Sequence, residues 1–153
     1  MNFEAGIEMV DRAIRSNPNL ASAHSARGWL RVWDGGSDEA IADLEQAMRF
    51  SPRDPLNFTV MLGIGAGHFN ACRYAEAAIC ADKSIRLFPF FPGGLTMAIA
   101  CYVEAGRLED AQKAKADLYR LVPEWRIPGS SPIRSLEVYM KLREALLKAG
   151  MPE

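Results

Sequence analysis

His68 and Cys72 are the residues whose types and spacing come nearest to a metal site. An imidazole and a thiol four residues apart share one face of a helix, and together they supply half of the ligands that zinc needs. No second pair of ligands accompanies them, and the three cysteines of the chain contain no Cys-x-x-Cys spacing. We therefore predict neither a metal site nor a bound cofactor.

Three glycines at alternate positions, Gly63, Gly65 and Gly67, suggest a loop that holds a phosphate. The dinucleotide fingerprint needs a further glycine three residues after the second one, and His68 and Asn70 stand where it would fall. The P-loop motif is excluded as well, because no Gly-Lys-Ser/Thr follows. A glycine inside a helix costs about 1 kcal/mol relative to alanine, so we expect close helix packing to be the reason for all three.

The remaining reactive side chains form no catalytic constellation. The chain has no Gly-x-Ser-x-Gly nucleophile elbow, and Cys80 and Cys101 fall in helical segments where a cysteine usually packs as a small apolar residue. Acidic residues concentrate at predicted helix starts, where they complement the helix dipole: Asp38, Glu39, Glu76, Glu109 and Asp110. We predict that this chain is not an enzyme.

Composition narrows the set of partners. The 153 residues carry a net charge of -1, with 49% hydrophobic and 24% charged residues, which is typical of a globular domain. A chain with so little net charge has no basic field to hold nucleic acid. No apolar run is long enough to cross a bilayer, and the acidic N-terminus is unlike a signal peptide. The composition predicts a cytoplasmic protein that binds neither nucleic acid nor membrane.

The elements that position these residues follow a period. Prolines recur at intervals of 34, 37 and 34 residues, at Pro18, Pro52, Pro89 and Pro123. Twelve residues before each proline stands a small residue: Gly6, Ala40, Ala77 and Ala111. Two markers that keep one phase predict a repeat built from pairs of helices.

This punctuation resembles the tetratricopeptide repeat (TPR), whose pattern is W-x2-L-G-x2-Y, then A-x3-F, then P. The middle repeat has Met61, Ile64, Gly65 and His68 at the first four positions, and then Ala77, Ala81 and Pro89. The resemblance covers residues 3 to 124 and implies an all-α solenoid. It divides one domain, 1–153, into a half repeat at 3–20, full repeats at 21–54, 58–91 and 92–125, and a capping helix at 131–149.

Three further features of the sequence lead to separate expectations. Arg27 and Arg31 occupy inward positions, so either the helix is rotated or these side chains extend to solvent. Ser131 is the expected N-cap of the capping helix. The apolar stripe of the first helix lacks a partner helix; it consists of Phe3, Ile7, Val10 and Ile14. This predicts that the helix is a weak point or a dimer contact, and that the chain has been cut from a longer protein.

The stretches "SPRDPLNFTVMLGIGAGHFNACRYAEA", "EAGRLEDA" and "LREALLKAGMPE" are similar to the C-terminal repeat region of bacterial class III adenylate or guanylate cyclases and related regulators. The resemblance implies a non-catalytic interaction module in a signalling protein. None of the catalytic residues of a cyclase can be carried over, because no part of this chain matches that domain. The alternatives are the TPR region of a winged-helix transcriptional regulator and a self-associating structural module.

In a TPR solenoid the first helix of each pair lines a concave groove. The register places apolar residues there and no basic one, with Asn70 and Glu104 at the edge. This composition argues against a clamp for a terminal carboxylate and favours an amphipathic helix, from a partner protein or a second copy. Trp29 and Phe69 have an alternative role, as packing between neighbouring first helices. The predicted groove residues are Ser22, Ser25, Trp29, Val32, Trp33, Leu62, Ala66, Phe69, Asn70, Thr96, Ala100 and Val103.

Overall fold

The computed structural model describes residues 3–153, and in this range the regular structure is entirely helical, with eight α-helices. Residues 1 and 2, which the sequence assigns to the same domain, lie outside the described residues. The helices are α1 (Phe3–Ser16), α2 (Ala21–Trp33), α3 (Asp38–Phe50), α4 (Asn57–Asn70), α5 (Tyr74–Leu87), α6 (Pro92–Glu104), α7 (Leu108–Leu121) and α8 (Leu136–Lys148).

Consecutive helices pack as pairs, α2 with α3, α4 with α5 and α6 with α7, and each pair packs against the next. The first helices of the pairs, α2, α4 and α6, also touch one another and so form one continuous face. We call this face the groove. The arrangement confirms the prediction of an all-α solenoid of the TPR type.

Glycine brings the two helices of a pair close together. A Cβ built on Gly65 would lie 3.1 Å from the Cβ atom of Cys80 and 3.4 Å from the carbonyl oxygen of Ala77. At the equivalent place in the preceding pair, a Cβ on Gly28 would lie 3.1 Å from the carbonyl oxygen of Ala40. A Cβ on Gly63 or Gly67 would lie under 3.0 Å from a side chain of α3, so the packing explanation expected for Gly63, Gly65 and Gly67 is confirmed.

The turns inside the pairs repeat a backbone conformation. Gly35, Cys72 and Gly106 each have a positive φ, of 95°, 58° and 75°. They stand at intervals of 37 and 34 residues, which are two of the intervals between the prolines. The left-handed conformation is easy for glycine and strained for a residue with a Cβ. Cys72 adopts it because the geometry of the repeat requires it at this position.

Arg27 and Arg31 do not extend to solvent along the helix. Both guanidinium groups bind the buried carboxylate of Asp43 on α3, at 2.6 Å from Arg27 Nη2 and 2.7 Å from Arg31 Nη1. Arg27 also reaches Asp11 on α1 at 3.0 Å. The arginines occupy inward positions because a carboxylate on the facing helix receives them, so this cluster links α1, α2 and α3.

A second carboxylate cluster joins the later pairs. Asp82 on α5 accepts a hydrogen bond from the hydroxyl of Tyr102 at 2.7 Å and is bound by the guanidinium of Arg107 at 2.9 and 3.1 Å. Partial burial by itself disfavours the charged form of Asp82. The bonds from Arg107 and Tyr102 outweigh that effect, and the pKa of Asp82 lies below its ordinary value.

This shift predicts a contribution to acid stability. The lowered pKa means that Asp82 stabilises the fold fully above its unfolded pKa of 3.8 and loses this effect as the pH falls through the folded value. The Asp82→Asn variant should therefore lose less stability than the wild type between about pH 5 and pH 2. Urea unfolding at several pH values measures the difference. Asp117→Asn, which breaks a surface pair within α7, is the control and should follow the wild-type curve.

The last helix begins later than the sequence suggested. The expected capping helix at 131–149, with Ser131 as its N-cap, is corrected to Leu136–Lys148, and the hydroxyl of Ser135 accepts the N-cap bond from the amide of Val138 at 3.4 Å. The hydroxyl of Ser131 instead accepts a bond from the amide of Ile133 inside an irregular segment. That segment is held away from helical geometry because the amides of Arg134 and Ser135 both donate to the carbonyl of Trp33.

Candidate functional site

The groove presents aromatic and aliphatic side chains to one side of the molecule. Trp29 and Trp33 lie one turn apart on α2, with ring centroids 5.6 Å from each other. Leu62 and Ala66 continue the surface on α4, and Thr96 continues it on α6. These positions follow the helical period of the first helices, which is why one sequence register predicted them together.

A segment from the C-terminal part of the chain faces the groove and forms its second wall. Residues 125–135, which we call the strap, lie between α7 and α8 and have no regular structure. The amide of Ile127 donates to the carbonyl of Pro152 at 2.8 Å, and the amide of Arg134 donates to the carbonyl of Trp33 at 2.7 Å. The strap is thus fixed near both of its ends, once to the C-terminal tail and once to α2.

Helix α8 completes this wall by crossing the ends of the three first helices. Ser135 and Val138 approach Gly35, which follows α2. Further along α8, Lys141 Nζ lies 3.7 Å from Cys72 Sγ beyond the end of α4, and Lys148 Nζ lies 2.7 Å from Glu104 at the end of α6. The predicted cap therefore packs across the solenoid and not only at its terminus.

Between the two walls lies a cavity of about 840 Å³. Its lining is predominantly apolar and includes all three tryptophans of the chain. The lining residues are Ala26, Trp29, Leu30, Val32, Trp33, Thr59, Leu62, Ala66, Phe69, Asn70, Phe91, Gly93, Thr96, Met97, Trp125, Ile127, Pro128, Ser131, Pro132, Ile133, Val138, Tyr139, Leu142, Arg143 and Leu146.

Eight of the twelve predicted groove residues line this cavity: Trp29, Val32, Trp33, Leu62, Ala66, Phe69, Asn70 and Thr96. Ser22, Ser25, Ala100 and Val103 lie outside its lining. Ala100 is fully buried, and Val103 packs against the same apolar cluster, which also contains Ala145 and Leu146 of α8. The sequence register placed Ala100 and Val103 in the groove because it carries no information on where α8 packs.

Phe69 and Asn70 have structural roles in addition to lining the cavity. The side chain of Phe69 is 1% exposed and meets Tyr74 edge to face, so it belongs to the core. The side-chain Nδ2 of Asn70 donates to the carbonyls of Val32 at 3.0 Å and Gly36 at 2.9 Å, which ties the end of α4 to the end of α2. These surroundings agree with the alternative expectation for Phe69, namely that its ring packs between helices.

Most of the lining residues that sequence reasoning missed come from the C-terminal part, and the others lie on or beside the first helices: Ala26, Leu30, Thr59, Phe91, Gly93 and Met97. Trp125, Ile127 and Ile133 of the strap line the cavity, together with Val138, Leu142 and Leu146 of α8. A signal for α8 was available in the sequence, since Val138, Leu142 and Leu146 recur every four positions and mark one face of a helix. No such signal exists for the strap, because an irregular segment has no period.

Polar side chains in the lining are mostly engaged with the backbone. The hydroxyl of Thr96 donates to the carbonyl of Pro92 at 2.9 Å, and that of Tyr139 donates to the carbonyl of Pro128 at 2.8 Å. Arg143 is the one charged residue among the described lining residues, and its guanidinium binds the carboxylate of Glu153. The cavity therefore offers apolar contact nearly everywhere and one positive charge.

The residues considered for chemistry are engaged in structural contacts. His68 Nδ1 accepts a bond from Arg73 Nε at 2.9 Å, and burial together with the charge of Arg73 lowers the pKa of His68. Burial raises the pKa of both Cys80 and Cys101, which keeps these thiols protonated and unreactive. Within residues 3–153, no group of three or more His, Cys, Asp or Glu side chains has the geometry to hold a metal ion.

The helical pairs and the groove define the class of fold, an α-solenoid of the TPR type. Among solved structures, the chain is similar to the crystal structure of MamA, a TPR-containing protein, with a TM-score of 0.70 and 16% sequence identity. The match covers 97% of this chain and 86% of that one. No family model and no curated protein matches the sequence. In the part of the chain that the structure describes, no helix is long and apolar enough to cross a membrane.

Proposed function

We propose that this protein is a non-catalytic protein–protein interaction module whose groove binds an apolar segment of a partner. The observation that supports the proposal is the large apolar cavity on the face formed by α2, α4 and α6. A concave cavity of this volume with an apolar lining is the usual form of a binding site. The fold contributes a rigid, preformed surface, which lowers the entropic cost of binding.

The strap sets a condition on the kind of segment that binds. An amphipathic helix with its side chains is about 10–12 Å across. We infer that such a helix displaces the strap, because the strap lines the same cavity as Trp29 and Leu62. The strap has few backbone bonds to the solenoid, namely those from Arg134 and Ser135 to Trp33, so this movement is local and leaves α2, α4 and α6 unchanged. The apolar face of the partner then replaces the contacts of the strap.

A charge placed at the edge of the groove tests the proposal without disturbing the core. Ala26 on α2 is exposed and lines the cavity, whereas Ala42 on α3 is exposed and lies away from it. The Ala26→Arg variant should lose partner binding at least about 10-fold, because a desolvated charge opposes an apolar segment. Ala42→Arg should bind like the wild type, and the thermal midpoints of all three proteins should agree within a few degrees.

The measurement is capture of proteins from a lysate of the source cells, quantified by mass spectrometry for the three baits. Binding that is equal for Ala26→Arg and Ala42→Arg would exclude the groove as the docking surface. Phe69→Ala is unsuitable for this experiment because the ring is in the core. Capture of the chain itself would favour the alternative of a self-associating module. The candidate contact is the apolar stripe of α1, which is half-exposed although α1 packs against α2, contrary to the expectation that it lacks a partner.

A more specific part of the proposal concerns the longer protein to which this chain belongs. A bacterial signalling protein such as an adenylate cyclase is supported by the sequence resemblance alone, and a winged-helix regulator is the alternative. Reading the coding sequence upstream of Met1 distinguishes them, since a cyclase domain or a winged-helix domain would be recognisable there. The cytoplasmic location and the exclusion of nucleic acid as a partner remain predictions from composition and charge.

A further inference from the structure

We propose that the cavity between the groove and the strap is a binding site for a fatty acid, that is, an elongated apolar molecule with one carboxylate. This inference goes beyond partner docking, and it concerns the arrangement in which the strap is in place. It rests on the volume of the cavity, on the bonding state of its polar groups and on the position of its one charged side chain.

The volume and the walls select the size of the ligand. Sites for small molecules and cofactors occupy roughly 300–1,000 Å³, and the cavity of about 840 Å³ falls in that range. The strap is held at 2.7 Å to Trp33 and at 2.8 Å to Pro152, so the space beneath it is bounded on two sides. An alkyl chain is much thinner than a helix with its side chains, so this ligand requires no movement of the strap.

The chemistry of the lining selects an apolar body. Asn70, Thr96 and Tyr139 are polar, but each already donates to a backbone carbonyl. A ligand with many hydrogen-bonding groups would therefore lose its bonds to water and gain few in return. Leu62 and Ala66 offer only apolar contact. An alkyl chain gains from leaving water and has no polar group to satisfy.

The charge of the lining selects the head group. Arg143 is the one charged residue among the described residues of the lining, and it projects from α8 beside Leu142 and Leu146. Its present partner, Glu153, has a side chain that is 64% exposed. A guanidinium binds carboxylates with good geometry, and the carboxylate of a ligand can take the place of the Glu153 carboxylate while its chain lies against the apolar lining.

Tryptophan fluorescence provides a direct test with the purified full chain. Trp29, Trp33 and Trp125 all line the cavity, so the whole intrinsic signal reports on its contents. Titration with dodecanoate, kept below its micellar concentration, should give a saturable change. Dodecanol, which has the same chain and no charge, should bind at least about 10-fold more weakly. Dodecanol that binds as tightly as dodecanoate, or dodecanoate that gives no saturable change, would overturn the proposal.

Variants separate the head-group contact from the chain contact. Arg143→Met should weaken dodecanoate binding about 10-fold and leave dodecanol binding unchanged, while Arg120→Met on the exposed face of α7 changes neither. Glu153→Gln removes the competing carboxylate and should tighten dodecanoate binding a few-fold. Unchanged binding in both Arg143→Met and Glu153→Gln would exclude the assigned carboxylate site.

Variants that fill the cavity with a larger side chain test whether the ligand binds there. Ala66→Phe places a ring in the cavity and should abolish binding, whereas Ala75→Phe on the exposed face of α5 should not. If circular dichroism shows that Ala66→Phe does not fold, Thr96→Phe on α6 replaces it. Full binding by a folded filled variant would contradict the site. The titration contains no protein partner, so its failure leaves the capture experiment unaffected, and failure of capture leaves the titration unaffected.

Discussion

The double variant Arg27→Met, Arg31→Met should lose about 3–5 kcal/mol of unfolding free energy. Asp43 is 7% exposed and is bound by both guanidinium groups, through Arg27 Nε at 2.9 Å, Arg27 Nη2 at 2.6 Å and Arg31 Nη1 at 2.7 Å. Replacing both arginines leaves a charged carboxylate inside α3 with no cation to offset its loss of water. Methionine keeps the apolar stem of each side chain, so the loss reports on charge and not on packing volume.

The control and the rescue identify the mechanism. Arg49→Met removes an exposed guanidinium that binds Gln46 alone among the described residues, and it should change stability by less than about 0.5 kcal/mol. Adding Asp43→Leu to the double variant should restore most of the loss, because an apolar group then fills the apolar surroundings. Chemical denaturation at constant pH measures all four proteins. A double variant as stable as Arg49→Met would show that Asp43 does not need its partners.

The second large effect is expected for Gly28→Ala, at about 1–3 kcal/mol of lost stability. The new Cβ would stand 2.5 Å from Cγ of Leu44 and 3.1 Å from the carbonyl oxygen of Ala40. Leu44 is fully buried, and its Cγ is the branch point of the side chain, so it cannot turn away without moving other core residues. The gain of about 1 kcal/mol in helix propensity reduces the loss and does not reverse it.

A double-mutant cycle tests this explanation by thermal and chemical denaturation. Leu44→Ala by itself should cost about 2–5 kcal/mol, because it opens a cavity in the core. In the double variant the methyl group introduced by Gly28→Ala has room, so the combined loss should be smaller than the sum of the two single losses. Gly129→Ala, at a position with no atom within 4 Å of the new Cβ, is the control. Additive losses would indicate that the clash is not the cause.

Much of the fold is predictable from spacing. The prolines and the small residues twelve positions before them define the helix pairs, because proline is excluded from helix interiors and two helices approach closely at small side chains. The pairing of Gly65 with Ala77 follows from the same rule. The positions of Trp29, Leu62 and Ala66 on one face also follow, since they depend only on the helical period.

The candidate site was predictable only in part. The wall formed by α2, α4 and α6 follows from the repeat, and eight of the predicted residues line the cavity. Ala100 and Val103 lie outside the lining, because the same pattern describes a helix whose end is open and one that is covered by α8. The alternatives left open for Arg27 and Arg31 could not be settled from the sequence either, because their partner Asp43 lies on another helix.

The sequence by itself determined the helices, their pairing and the side of the solenoid that is apolar, because these depend on interactions between residues near each other in the chain or one repeat apart. Only the tertiary structure decided that the strap and α8 fold back over the groove. That contact joins Arg134 to Trp33 and Lys148 to Glu104 across long stretches of chain. An irregular segment has no periodic signal, and its position is set by the few bonds that fix its ends and by the apolar surface it faces.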